Sequence, residues 1–383
     1  MKITQDIRYI GVDDRCITLF ESQYPLEKGV SYNSYLIVSG GESLVMDAVE
    51  EGFVHEWLDN IEKETESVDY LVVQHMECDH SAGICAFMEK YPRAKIISSP
   101  KAFTMMNNFF SSDYADRRIV VKDGDVFTLG EHTLTFIAAP MVHWPEVMVT
   151  YDSCDRVLFS ADAFGTFTAN ALRDKDEDWA EEASRYYFGI VGKYGSMVQK
   201  LLQKASSLDI AQICPLHGPV LSDDPGYYSG LYDKWSSYTP EDDTITICYT
   251  SVYGHTKEAV MTLAGIFEKK GRKVEIFDLA RSDVYRAVAS AFRHGSLILA
   301  TTTYDGDIFP AMRDFIERLN HRFYQNRKVG LIENGSWGPV AARIMKGMFE
   351  KSKDVTFAET TVTILSALNE KSLSDMEKLA EEF

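Results

Sequence analysis

Four side chains able to ligate a metal fall within six consecutive positions in His75-Met76-Glu77-Cys78-Asp79-His80, directly after the apolar run DYLVVQ. So many titratable groups in one turn are costly to hold together unless a cation compensates them. Three residues farther along have a similar setting. His143 follows HTLTFIAAP, Asp162 ends RVLFSAD and His217 ends IAQICPLHG, at successive intervals of 63, 19 and 55 residues from His80. Each stands at the end of a strand pattern, and ligands at strand ends converge when the strands share one sheet. The set is four imidazoles and three carboxylates with no thiolate. Hard oxygen donors in that number favour iron or manganese, and zinc also accepts them. Cys78 interrupts the run, but ligands fall at alternate positions, so it is expected to be a small buried residue pointing away.

A second chemistry is written after residue 244. The strand pattern TITICYT runs into Thr250-Ser251-Val252-Tyr253-Gly254-His255-Thr256 and then into a helix pattern. Hydroxyls, a glycine and backbone N–H groups at a helix start suit a phosphate dianion. The loop is neither GxxxxGK[ST] nor GxGxxG, which disfavours a nucleoside triphosphate or a dinucleotide held there. Two further loops follow strand patterns, Thr301-Thr302-Thr303-Tyr304-Asp305-Gly306 and Glu333-Asn334-Gly335-Ser336-Trp337-Gly338. Each carries an aromatic side chain able to cover a flat ring, at the carboxyl ends of strands where open α/β sheets bind ligands.

The elements that must position these residues differ between the halves. Residues 1–240 read as short alternating strands with few helices, among them candidates over 51–64, over AGICAFMEKYP and, broken by glycines, over 179–206. From Thr244 the rhythm is strand, helix, strand, helix to the end, which predicts a parallel, doubly wound sheet. The polar stretch SSYTPEDDT (236–244) reads as the linker, giving domains at 1–240 and 244–383.

The chain has 383 residues and a net charge of −19. Residues 241–383 hold 19 Lys/Arg and 21 Asp/Glu, a net of −2, so nearly all the excess acid, −17, lies in 1–240. That balance argues against nucleic-acid binding, which needs basic side chains against phosphate. No apolar run approaches the length needed to cross a bilayer, and the charged N-terminus is unlike a signal peptide. Six scattered cysteines without a CxxC pair fit a reducing cytoplasm. The segment RDKDEDWAEE (173–182), with six acids, is expected to be a solvated face.

The first constellation resembles the HxHxDH motif of the metallo-β-lactamase fold, with Glu77 in place of the second histidine. That His-x-Glu-x-Asp-His form is the mark of the flavodiiron proteins, and 244–383 resembles flavodoxin. The resemblance implies an N-terminal metallo-β-lactamase-like αββα sandwich joined to a flavodoxin-like domain, both α/β. It further implies that His75, Glu77 and His143 bind one iron, that Asp79, His80 and His217 bind the other, and that Asp162 bridges the two Fe ions. Tyr24 and Tyr194 lie in the regions from which the family places a polar or phenolic side chain over the irons. The three loops of 244–383 would hold FMN. The implied activity is reduction of O2 to water and/or NO to N2O, with electrons from rubredoxin or a similar small donor. A head-to-tail homodimer, or a dimer of such dimers, is implied too. The alternative is a zinc hydrolase of the lactamase fold with an accessory flavin domain. An acidic donor should be repelled by the iron domain and tolerated by the near-neutral flavin domain.

Overall fold

The computed structural model describes residues 2–169 and 179–383. The chain divides into two compact units, Met1–Asp233 and Lys234–Phe383. The stretch expected to be a linker is ordered structure. It holds the end of the helix Pro225–Ser236 and the start of the strand Asp242–Tyr249. Glu241 within it accepts from the Trp235 indole at 2.6 Å and pairs with Arg293 at 2.9 Å. Polarity there reflects side chains engaged in hydrogen bonds, not a free tether.

The first unit is built on two sheets. In one, the strands run in the order Ile7–Tyr9, Tyr35–Ser39, Glu42–Met46, Tyr70–Val72, Lys95–Ser98 and Arg118–Val120. In the other the order is Val126–Leu129, His132–Ala138, Met148–Asp152, Val157–Phe159 and Gln212–Cys214. Antiparallel hairpins lead each sheet and parallel pairs finish it: Val72 pairs with Met46 and Ile97, and Phe159 with Cys214. Gly40 and Gly41, both at positive φ, make the tight turn of the first hairpin, as a two-residue connection requires. Ile37, Leu44, Val72 and Ile97 from one sheet pack with Leu134, Phe136, Met148 and Phe159 from the other in a single buried cluster. Both inner faces are thus withdrawn from water together, which is what holds a sandwich.

RIVVKDGDVFTLG is two strands in different sheets, with the chain crossing the sandwich at Asp123 and Gly124. Leu19–Phe20 pairs with Tyr24–Pro25 in a separate two-residue ladder. The helix Pro100–Phe110, unexpected from periodicity, is announced by Ser99, whose side chain accepts from the Ala102 N–H, and by Pro100 in its first turn.

The second unit has one main sheet, ordered Val274–Asp278, Asp242–Tyr249, His294–Tyr304, Arg327–Asn334 and Val355–Ile364, all parallel. Its first strand lies inside the order, so connections leave to opposite sides and open a crevice at the strands' carboxyl ends. The helix His255–Lys269 buries Ala259, Val260, Leu263 and Phe267 on the sheet, and Glu370–Glu381 adds Met376 and Leu379 to the same core. Among the described residues, no helix is long and apolar enough to cross a membrane.

Candidate functional site

The strand Tyr70–Val72 delivers His75, and the short helix Cys78–Ser81 carries Asp79 and His80. His143 follows the strand His132–Ala138, Asp162 follows Val157–Phe159 and His217 follows Gln212–Cys214. These strands belong to both sheets and not to one, as the spacing argument had assumed. Stacking the sheets brings their ends side by side.

The seven side chains form two adjoining groups. In the first, His143 Nε2 lies 2.9 Å from Glu77 Oε2 and 3.0 Å from Asp162 Oδ2, and His75 Nε2 lies 3.2 Å and 3.3 Å from the same atoms. In the second, Asp79 Oδ2 lies 3.4 Å from His80 Nε2 and 3.3 Å from His217 Nε2. Asp162 faces both groups. Its Oδ1 is 3.2 Å from His80 Nε2 and 4.0 Å from His217 Nε2.

The donor atoms converge, and His75 Nε2 meets Glu77 Oε2 at 3.2 Å and His80 Nε2 meets His217 Nε2 at 3.0 Å, yet several are left unsatisfied. Both oxygens of Asp79, Oδ1 of Asp162 and Nε2 of His143 are buried with no hydrogen-bond partner among the described residues. Buried polar atoms left this way are rare and call for a ligand. Burial alone would push the imidazoles down and the carboxyls up in pKa. Their mutual contacts override it, raising His143 to about 9 and His75 well above its usual range, and holding Glu77 and Asp162 well below theirs. The site therefore favours anionic carboxylates and wants positive charge between them. Two metal cations bound by hard oxygen and imidazole donors fit that demand.

In the second unit, a cavity of about 490 Å³ is lined by Ser251, Val252, Tyr253, His255 and Thr256, by Thr302 through Gly306, and by Asn334 through Gly338. Gly254, at φ 97°, turns the chain into the helix His255–Lys269. Ser251 Oγ accepts from the N–H groups of Gly254 and Lys257 at 3.2 Å. Thr250 stands behind the loop, buried, with its hydroxyl 2.6 Å from that of Thr301. Tyr253 and Trp337 are 91% and 96% exposed, and Tyr304 is half-exposed. Such surface on large aromatics at a cavity rim suits a flat ring.

A model of the "ODP family beta lactamase" matches residues 30–218. The nitric oxide reductase of Moorella thermoacetica is 30% identical over 94% of this chain and 92% of its own length. The anaerobic nitric oxide reductase flavorubredoxin of Aliivibrio salmonicida is 28% identical over 88% of this chain and 69% of its own. The rubredoxin oxygen:oxidoreductase of Desulfovibrio gigas superposes with a TM-score of 0.91 at 23% identity, covering 100% of this chain and 96% of that one. The flavodiiron protein of Giardia intestinalis does so with a TM-score of 0.91 at 23% identity, over 100% and 95%.

The chain belongs to the flavodiiron protein family.

Within that family's frame the structure adds residues that spacing did not reveal. Tyr186 is buried with its ring 5.6 Å from that of His217. Burial, reinforced by Asp162, Asp79 and Glu77, raises its phenol well above the usual range. Tyr24 instead donates its hydroxyl to the Gly189 carbonyl at 2.9 Å and stacks on Phe167. Tyr194 is half-buried in a single 3-10 turn, with Lys193 5.9 Å from its ring. The structure thus sets Tyr186, not Tyr24 or Tyr194, against the imidazole of His217. Phe20 meets the same imidazole edge-on at 5.4 Å. Next to Phe20, Glu21 is exposed, and partial desolvation together with the Glu77 carboxylate raises its carboxyl to about 7.

Two further readings are corrected, and one residue is added. Cys78 is exposed, because the helix that aims Asp79 and His80 inward turns it to the surface. Of RDKDEDWAEE, residues 173–178 lie outside the described residues. Trp179 and Glu182 are buried, with Glu182 3.1 Å from Arg185, so that part is no solvated face. In the flavin-type crevice Asn334 exchanges hydrogen bonds with the backbone of Ser366, at 3.1 Å and 3.2 Å. Ser366 also lines the cavity and comes from a fourth loop that carried no motif.

Proposed function

We propose that this oxidoreductase reduces O2 to water and/or NO to N2O at two iron ions, with electrons arriving from rubredoxin or a similar small carrier through FMN. The observation that carries the reading is Asp162, whose two oxygens face two separate clusters of hard ligands in a chain that also holds a crevice suited to a flavin. His75, Glu77 and His143 would hold one iron, Asp79, His80 and His217 the other, with Asp162 between them. A hydrolytic zinc pair would have no use for an attached flavin.

Bound there, FMN and iron would supply the one- and two-electron chemistry that no side chain can. The protein's own part is positioning and charge. Three carboxylates offset the cations, and four imidazoles add neutral donors that fix geometry. Tyr186 and Phe20 close the His217 side with aromatic surface and exclude water there. Tyr186 keeps its proton across the physiological range.

In the second unit the Ser251–Thr256 loop would take the phosphate at a helix start, and Tyr304 and Trp337 would flank the ring. A head-to-tail homodimer, alone or as a dimer of dimers, would cover the exposed Tyr253 and Trp337 and set each flavin beside the partner's metals. A cytoplasmic setting agrees with cysteines unpaired among the described residues. An acidic donor would dock on the near-neutral flavin unit, and charge reversals in 241–383 should alter its on-rate more than those in 1–240. Anaerobic turnover tests the activity: the reduced enzyme should consume O2, NO or both, with two irons per chain by elemental analysis. Two zincs and no iron would favour the hydrolase, and consumption of neither gas would sink the proposal.

A further inference from the structure

Glu146 lies three residues beyond His143, yet its carboxylate serves His75. Oε1 accepts from His75 Nδ1 and from the Met76 N–H, both at 2.9 Å. Both side chains are fully buried. Oε2 has no hydrogen-bond partner among the described residues, and no lysine or arginine pairs with the carboxylate there. A cavity of about 270 Å³, walled by side chains such as Val121, Phe136 and Met148, includes Glu146 in its lining but not His75. Lys101 and Lys122 also line this cavity, but among the described residues neither pairs with the carboxylate, whose charged partner is one imidazole.

The second group of ligands is supported differently. His217 Nδ1 donates to the neutral carbonyl of Ser31 at 2.8 Å. His80 Nδ1 has no hydrogen-bond partner among the described residues. An imidazole that donates to a carboxylate is locked in one tautomer with Nε2 free to ligate, and it is the more basic donor. One that donates to a carbonyl gains orientation and little charge.

We propose that Glu146 is a positioning residue that makes the two metal positions unequal, giving the position held by His75, Glu77 and His143 the stronger grip on its ion. This rests on the reading that the seven ligands hold two ions. The carboxylate orients His75, strengthens its Nε2 as a donor and adds negative charge behind its ion, whereas the buried Asp47 carboxylate near His80 accepts from Gln74 and the His75 N–H rather than from an imidazole ring.

The test compares the full-length, metal- and flavin-loaded wild type with Glu146→Gln and Glu146→Ala. Iron retained per chain is read against a graded chelator, with flavin absorbance and melting temperature measured alongside. Glu146→Gln preserves shape and removes charge. It should weaken one of the two ions by about 10- to 100-fold and leave the other within about twofold, with flavin content unchanged. Glu146→Ala should weaken the same ion further, and the low-temperature spectrum of the half-reduced pair should change in both variants. Two ions held as in the wild type would overturn the proposal alone. Both ions weakening together, with or without loss of the fold, would assign Glu146 a structural role and also overturn it. A wild-type chain that binds fewer than two ions would overturn the two-metal reading itself.

Discussion

Nε2 of His80 lies 3.2 Å from Oδ1 of Asp162, while the other oxygen of that carboxylate is turned to His143 Nε2 at 3.0 Å. One side chain is therefore shared by two clusters. In Asp162→Asn an amide N–H₂ replaces one oxygen, so one cluster loses its acceptor and meets a donor instead. Iron should fall from about two per chain to one or fewer, and turnover with either gas by at least about a hundredfold. Elemental analysis and single-turnover kinetics check both.

Gly218 follows His217 at φ 77°, and a β-carbon there would lie 2.0 Å from Thr166 Oγ1. Gly218→Ala combines left-handed strain with a collision against both the side chain and the backbone of Thr166. The turn must open, moving His217 off the second cluster. We expect a loss of about 2 kcal/mol or more in stability and impaired metal uptake. Thermal melting of the metal-free and loaded forms would show both effects, and Thr166→Ala in the same chain should recover only the side-chain part.

Tyr186→Phe keeps the ring on His217 and removes a phenol packed against it, while Tyr32, edge-on to the same imidazole at 5.9 Å, keeps its own. The fold and both metals should be retained. Turnover should fall by about tenfold or more at constant metal content, and an unchanged rate would leave the phenol a packing group only. Tyr24→Phe is the contrast, because its hydroxyl is spent on Gly189; it should cost about 1 kcal/mol of stability and leave the rate per folded molecule within about twofold.

Trp337 exposes 96% of its surface at the crevice rim. Trp337→Ala should leave the apoprotein's melting temperature unchanged and weaken FMN by about 2- to 12-fold, the worth of one aromatic stacking contact. Fluorescence titration of the apoprotein with FMN measures this directly. An unchanged dissociation constant would place the flavin ring elsewhere.

At the opposite end of the same sheet, His294 Nδ1 contacts Asp242 at 2.7 Å and Nε2 approaches Glu275 at 3.4 Å. The His294 hydrogen bond, opposed by burial, holds Glu275 below its usual range. Asp242, which burial would raise, is lowered by Thr244 and His294. A carboxyl depressed on folding contributes stability above its unfolded pKa, and that contribution is lost as pH falls through the folded value. The second unit should therefore lose stability as pH drops below about 4. Both carboxylates are about half-exposed, so the total stays below about 1 kcal/mol. His294→Asn should flatten this acid limb in denaturant titrations across that range.

The seven side chains that converge in two clusters were legible because cations demand particular donors, and those donors sat at the ends of recognisable strand patterns. The three crevice loops were legible for a similar reason, since strand-to-helix turns at one edge of a parallel sheet must face together. Glu146 was not, because nothing in a run reading HWPE tells that the glutamate reaches an imidazole 71 residues away. Tyr186 was missed for a local reason. The helix Trp179–Tyr186 passes into a π-turn over Tyr187–Val191, and that change of pitch determines which tyrosine faces the ligands. Ser366 lay in a loop without a motif and enters the crevice only because Asn334 clamps its backbone.

By itself the order of residues determined the two-part architecture, the seven donors and the three loops, because periodicity and donor chemistry are local properties. Tertiary structure alone decided which cluster each oxygen of Asp162 serves, which tyrosine closes the site and which carboxylate stands behind which imidazole. Those depend on how two stacked sheets bring distant strand ends within about 3 Å of one another, a distance scale on which hydrogen bonds act and sequence separation carries no information.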